Sequence, residues 1–138
     1  MSYFVTGTDT SVGKTLISCA LLHAFAAQGR RVVGMKPVAA GCAEGGQHED
    51  IRQLRAASNV PASDEQINPY CFTPAVAPHL AAQLAGVSID LARIAEAFAE
   101  LAAQADMVVV EGAGGLLVPL GTAQDSSDLM RKLGLPVI

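Results

Sequence analysis

Apolar positions recur along this chain with two periods, one suited to strands and one to helices. Tyr3 to Thr6 is a short apolar, β-favouring run closed by Gly7, which predicts a buried strand that stops at a turn. From Lys14 onward, Ile17, Ala20, Leu21, Ala24 and Phe25 follow helical spacing and Gly29 offers a left-handed stop, so the first helix should reach about Gln28. Arg31 to Met35 reads as a second strand, because Val32 and Val33 are β-branched and Pro37 cannot donate to a continued ladder. Lys36 is thereby left at its carboxyl end.

Ala39 to Gln47 is rich in glycine and small residues and reads as a loop, with a short helix beginning near Asp50 and carrying Ile51 and Leu54. Asn68-Pro69 and Thr73-Pro74 frame a non-regular stretch that extends to Pro78-His79, after which a short helix runs to Gly86. Leu91, Ile94, Ala95, Phe98 and Leu101 form another helical stripe. Met107 to Val110 is a continuous apolar run closed by Glu111-Gly112, as in a buried parallel strand. Leu135 to Ile138 reads as a further strand cut off in its first residues, which predicts that the polypeptide is the N-terminal portion of a longer one.

This alternation of strand and helix implies right-handed crossovers and an open, mostly parallel α/β sheet flanked by helices. Ligands of such sheets lie beyond the carboxyl ends of the strands, and Gly7, Lys36 and Glu111 all fall there.

Composition narrows the partner. The 138 residues suit a single domain over 1–138, and 51% hydrophobic residues supply a core. Charged residues make up 16%, the formal net charge is −4, and the lysines and arginines are scattered. Neither nucleic acid nor an anionic membrane is therefore expected, and a small molecule fits better. The opening Met1-Ser-Tyr-Phe-Val-Thr has no basic region or long apolar run, which predicts a cytoplasmic protein. Cys19, Cys42 and Cys71 are an odd number without C-x-x-C spacing, so free thiols are expected in place of a disulfide or a zinc site.

Candidate chemistry begins at Gly7-Thr8-Asp9-Thr10-Ser11-Val12-Gly13-Lys14-Thr15, a glycine-containing loop between a strand and a helix. Backbone N–H groups and the positive end of the helix dipole favour phosphate there. Lys14 adds a point charge for the outer phosphates, and the Thr15 hydroxyl suits Mg²⁺. A strict G-x-x-x-x-G-K-[ST] pattern would put glycine at Thr8, so the first glycine stands one residue early. Asp50 and Glu111 are candidate hard-oxygen ligands for the metal, Glu111 by its place at a strand end. For Asp50, spacing alone divides evenly between a ligand and a helix cap. His23, His48 and His79 show no metal spacing.

Taken in order, Gly7-Thr-Asp-Thr-x-Val-Gly-Lys-Thr15, Lys36-Pro-Val38, Asn68-Pro-Tyr70, Pro78-His79 and Glu111-Gly-Ala-Gly-Gly115 resemble the dethiobiotin synthetase family, over the whole chain. The resemblance implies a P-loop nucleotide hydrolase fold and ATP- and Mg²⁺-dependent closure of a ureido ring from 7,8-diaminopelargonate and carbon dioxide, through a carbamate and its mixed anhydride with phosphate. It implies Lys36, Lys14 and Thr10 as catalytic residues, and Thr15, Asp50 and Glu111 as metal ligands. Nucleotide would be held by Thr10, Ser11, Val12, Gly13, Lys14, Thr15, Asp50, Glu111, Gly112, Ala113 and Gly114. Substrate would be held by Lys36, Ala40, Pro78 and His79. A homodimer is also implied, in which residues beyond Ile138 of a second subunit help to bind the substrate carboxylate.

Two positions depart from the family, which commonly has serine where Ala40 stands and glutamate where Ser11 stands. Two other readings compete: a partitioning-type P-loop ATPase switch and an amidoligase-linked domain of the same fold. The switch class carries a second lysine early in the loop, where this chain has Asp9, whose charge does not suit phosphate.

Overall fold

The computed structural model describes residues 1–46 and 48–138. Gln47, the last residue of the loop expected from Ala39, lies outside the described residues. The elements follow in the order β1 (Tyr3–Val5), α1 (Lys14–Ala26), β2 (Val32–Met35), β3 (Val38–Ala40), α2 (Glu49–Ala57), α3 (Asp64–Ile67), β4 (Tyr70–Phe72), α4 (Pro78–Leu84), α5 (Leu91–Gln104), β5 (Met107–Glu111) and α6 (Ser126–Leu133).

The main sheet is parallel with β5 in the middle, in the order β1-β5-β2. The terminal residues extend it past β1: Phe4 N–H donates to the Pro136 carbonyl at 2.9 Å, and Ile138 N–H donates to the Phe4 carbonyl at 2.9 Å. The expected strand at Leu135 to Ile138 thus runs parallel beside β1, through a bridge between Phe4 and Val137.

Side chains along these strands alternate between two cores, as the two-residue period of a strand requires. Phe4, Val33, Met35, Val108 and Val110 pack with Ile94, Leu101 and Leu129 from α5 and α6. Val5, Val32, Met107 and Val109 face the other way, onto Leu22 of α1 and Leu54 of α2. Gly34 lets this second layer approach closely, since a Cβ there would lie 2.9 Å from Leu54 Cβ and 3.1 Å from Leu22 Cδ1.

Several expectations need correction. The expected loop at Ala39 and the expected non-regular stretch after Asn68 contain β3 and β4, which pair in parallel with Ala39 opposite Cys71. Pro37 supplies the physical reason. Lacking an N–H, it ends the ladder with β5, and its carbonyl instead accepts from Tyr70 N–H at 3.1 Å. The first helix ends at Ala26, two residues before the expected limit.

The reading of Cys42 and Cys71 as free thiols is also overturned. They form a disulfide with Cα atoms 6.2 Å apart, and among the described residues only Cys19 is free. Cys71 sits within β4 and Cys42 follows β3, with Cys42 N–H donating to the Phe72 carbonyl at 2.9 Å. Pairing of two short strands therefore brings together thiols that no local spacing connects.

The bridge spans a sequence separation of 29. Closing a loop of that length contributes about 3–4 kcal/mol in the chain-entropy account. Cys42→Ser should lower unfolding free energy by about 2–4 kcal/mol in urea titrations without reductant. Reductant should produce a similar loss in the unmodified protein. A variant as stable as the parent in both buffers would show that the thiols are not bridged in solution.

Candidate functional site

The first helix starts without a side-chain cap. Gly13 precedes it in the left-handed region at φ 103°, which a side-chain-bearing residue adopts only with strain. The N–H groups of the first turn are thus left to an external acceptor, and no acidic side chain stands in that turn to compete. Ser11, at φ 60°, is the one residue other than glycine with positive φ among the described residues. Two left-handed residues so close together curl the loop sharply, the kind of backbone from which anion nests are made.

Lys14 lies across this loop and donates from Nζ to the Asp9 carbonyl at 2.5 Å. Thr10, Ser11, Gly13, Lys14 and Thr15 line one side of a cavity of about 390 Å³. Lys36 from the end of β2, Asp50 from the first turn of α2, Glu111 from the end of β5, and Gly114 complete it, together with His48. The parallel sheet accounts for this convergence, because its strands deliver Lys36 and Glu111 to the same edge as the loop after β1.

Lys36 is the centre of the charge arrangement. Its Nζ is 2.7 Å from Asp50 Oδ2 and 2.7 Å from Glu111 Oε1. Thr15 Oγ1 donates to the same Glu111 oxygen at 3.0 Å. Glu111 is fully buried and Lys36 is 4% exposed, so these contacts are made largely out of water, where pairing is strong and an unpaired charge is costly.

Burial, and then the neighbouring Lys36 charge, push the Lys14 ammonium below its usual range, against the pull of Glu111, Asp50 and Asp9. Burial would raise the Asp50 carboxyl. The hydrogen bond and charge of Lys36 outweigh it, with help from Thr15, and hold the carboxyl below the ordinary carboxylate range. Burial and the charges of Glu111 and Asp50 push the Cys19 thiol up, which keeps it protonated beside the site.

The capping task open to Asp50 falls to its neighbour. His48 is the N-cap of α2, its Nδ1 accepting from Asp50 N–H at 3.2 Å, so the Asp50 side chain is released toward Lys36. This role for His48 was not read from the sequence, since histidine is an uncommon cap. Gly115, the last residue of the motif after β5, has a packing role: a Cβ there would lie 2.9 Å from the Thr8 carbonyl, so the glycine run packs directly on the phosphate loop.

Other anticipated residues lie apart from this cavity. Gly112 N–H donates to the Val5 carbonyl at 2.9 Å, and Gly112 and Ala113 border a small apolar space beside Phe4. Val12 is half exposed. His79 lines a separate cavity of about 640 Å³ with Gln83, Ser88 and Gln124, and its Nδ1 is buried without a partner among the described residues. Pro78 is buried as the first residue of α4, and Ala40 ends β3 opposite Phe72.

The oxygen donors at this edge suit a divalent cation. Glu111 Oε2 is buried and has no hydrogen-bond partner among the described residues. Beside it stand the Thr15 hydroxyl and the Asp50 carboxylate, all hard oxygens. Among the described residues, no group of three or more His, Cys, Asp or Glu gathers at metal-binding distance. Two carboxylates, a hydroxyl and an anion-binding loop fit Mg²⁺, which keeps its waters and shares phosphates, better than a metal that needs a full protein cage.

Comparison with known proteins bears on the family. A family model described as an AAA domain matches residues 1–138. The chain belongs to this AAA domain family. Over 136 residues it is 60% identical to the ATP-dependent dethiobiotin synthetase BioD of Nitrosospira multiformis, covering 99% of this chain and 60% of the relative. It is 55% identical to the BioD protein of Aromatoleum aromaticum and 50% identical to that of Xanthomonas oryzae pv. oryzae, each over 140 residues, with 99% of this chain and 62% of the relative covered. The chain thus spans about 60% of the length of the curated relatives it matches. Among the described residues, no helix of this AAA-domain protein is long and apolar enough to cross a membrane.

Proposed function

We propose that this AAA-domain chain is the ATP-binding domain of a dethiobiotin synthetase, which closes a ureido ring on 7,8-diaminopelargonate with carbon dioxide at the expense of ATP. The observation that carries the reading is the position of Lys36 Nζ, 2.7 Å from each of two acids and lining the same cavity as Lys14. The names of the relatives support it.

In this reading the loop amides and Lys14 bind the triphosphate. Thr15, Asp50 and Glu111 would hold Mg²⁺, which when bound neutralises charge between the outer phosphates. Lys36 and Thr10 orient the carbamate oxygen and stabilise the negative charge that develops as a phosphoryl group is passed to it. The second amine of the same substrate then attacks the activated carbon, the carbon–oxygen bond to phosphate breaks, and the amine proton leaves with the phosphate or to water. Both amines belong to one molecule, so ring closure avoids the entropy of a bimolecular encounter, a saving on the order of 7–11 kcal/mol in favourable cases.

Gly114 would lie along the triphosphate, and Val12, Gly112 and Ala113 would meet the nucleotide only outside the loop cavity. Ala40, Pro78 and His79 would border a diamine that reaches from that cavity toward the one lined by His79. A homodimer, working in the cytoplasm, completes the proposal. In that reducing compartment the Cys42–Cys71 bridge would be subject to opening by thiols.

The deciding experiment incubates full-length protein with diaminopelargonate, bicarbonate and Mg-ATP and follows dethiobiotin by mass spectrometry. ATP hydrolysis without that product would favour a nucleotide-driven switch instead. Ala40 ends its strand without a hydroxyl, so backbone or water takes any hydrogen bond that serine makes in related enzymes. Ala40→Ser should therefore leave kcat within about threefold of the parent, a change of under 1 kcal/mol in the barrier. A collapse in kcat would sink the proposed alignment of this strand end with the substrate.

A further inference from the structure

Lys36 occupies the place that a shared cation would take. Its ammonium touches Asp50 Oδ2 and Glu111 Oε1, both at 2.7 Å, and Glu111 Oε1 already accepts from Thr15. The lysine is 4% exposed and Glu111 is fully buried, so neither can swing into solvent without disturbing the packing around it. A divalent ion bridging the two carboxylates would stand within a few ångströms of this ammonium, at a site where water screens weakly. The repulsion falls only if the ammonium has another anion to move toward. The phosphate loop faces the same cavity, and a bound triphosphate supplies that anion.

We propose that Lys36 acts as a tethered cation that closes the acidic pair to free divalent ions, so that metal enters the site only together with the nucleotide. In the empty enzyme the lysine neutralises the two acids and keeps them positioned. Triphosphate draws the ammonium away from the carboxylates toward the phosphates, and the acids become available to the metal that arrives with them. This order prevents metal from settling between the acids without nucleotide. The inference rests on the proposed reading of Thr15, Asp50 and Glu111 as a divalent site.

The test is electron paramagnetic resonance titration of Mn²⁺ into full-length protein, with and without a non-hydrolysable ATP analogue. Without nucleotide, unmodified protein should bind Mn²⁺ weakly, and Lys36→Met should bind it on the order of tenfold more tightly or better, because a like charge at close range has been removed. The gain should vanish in the double variant Lys36→Met/Glu111→Gln. No gain in Lys36→Met would overturn the proposal. So would a nucleotide-free affinity of the unmodified protein within about threefold of the analogue-loaded one, a comparison that does not depend on any variant folding. If analogue-loaded protein shows no bound Mn²⁺ at all, the metal-site reading itself falls, and the role of Lys36 falls with it.

Discussion

Full-length protein carrying Lys36→Met should form product at least about a hundredfold more slowly than the parent, with ATP affinity changed by no more than a few-fold. One donor aimed at developing charge is typically worth roughly 10²–10³ in kcat. Nucleotide affinity is retained because Lys14, the first-turn amides of α1 and the left-handed residues Ser11 and Gly13 are untouched. The same change should cost about 3–5 kcal/mol of stability, the usual penalty when one partner of a buried ion pair is removed and the other is left uncompensated. Glu111, fully buried, would keep the Thr15 hydroxyl as its remaining side-chain hydrogen-bond donor. Calorimetry with ATP, turnover by mass spectrometry and urea unfolding separate these effects. A normal kcat would remove Lys36 from the mechanism, whatever happened to stability.

The residues that carry this prediction were readable in the sequence because each stands where an apolar run meets a turn. Lys36 follows a β-branched strand and precedes a proline, Glu111 ends a run of four apolar residues, and Lys14 follows a glycine at the start of a largely apolar helical stretch. A parallel sheet converts those local positions into a shared edge, so four strand and helix assignments were enough to bring the cations and acids together.

What could not be read depended on pairing between distant segments. β3 and β4 are three residues each, too short for a periodic signal, and they lie among glycines and prolines that suggest loops. Their pairing is also what creates the disulfide. Spacing alone left Asp50 as a cap or a ligand, and the structure gives the capping task to His48. α6 was readable and overlooked: Leu129, Met130 and Leu133 follow helical spacing, and Asp125 and Asp128 form a reciprocal capping box that is visible as a spacing.

Glu111→Gln should abolish nucleotide-dependent Mn²⁺ binding and reduce turnover by about a hundredfold or more, since a neutral amide keeps the volume but loses the charge that a hard cation requires. Its effect on stability should be smaller than that of Lys36→Met, because Lys36 retains Asp50 at 2.7 Å and is not left without a counter-ion. The informative measurement is the double-mutant cycle. In the Lys36→Met background Glu111 is a buried charge without its cation, and neutralising it should then stabilise the protein where in the parent it destabilises. The coupling between the two positions should reach about 1–3 kcal/mol, the range found for residues in direct contact. Losses that simply add, to within about 0.5 kcal/mol, would mean that the 2.7 Å contact does not persist in solution. The buried cation and acid would then have to be satisfied separately, and the charge arrangement at the edge of the sheet would lose its physical basis.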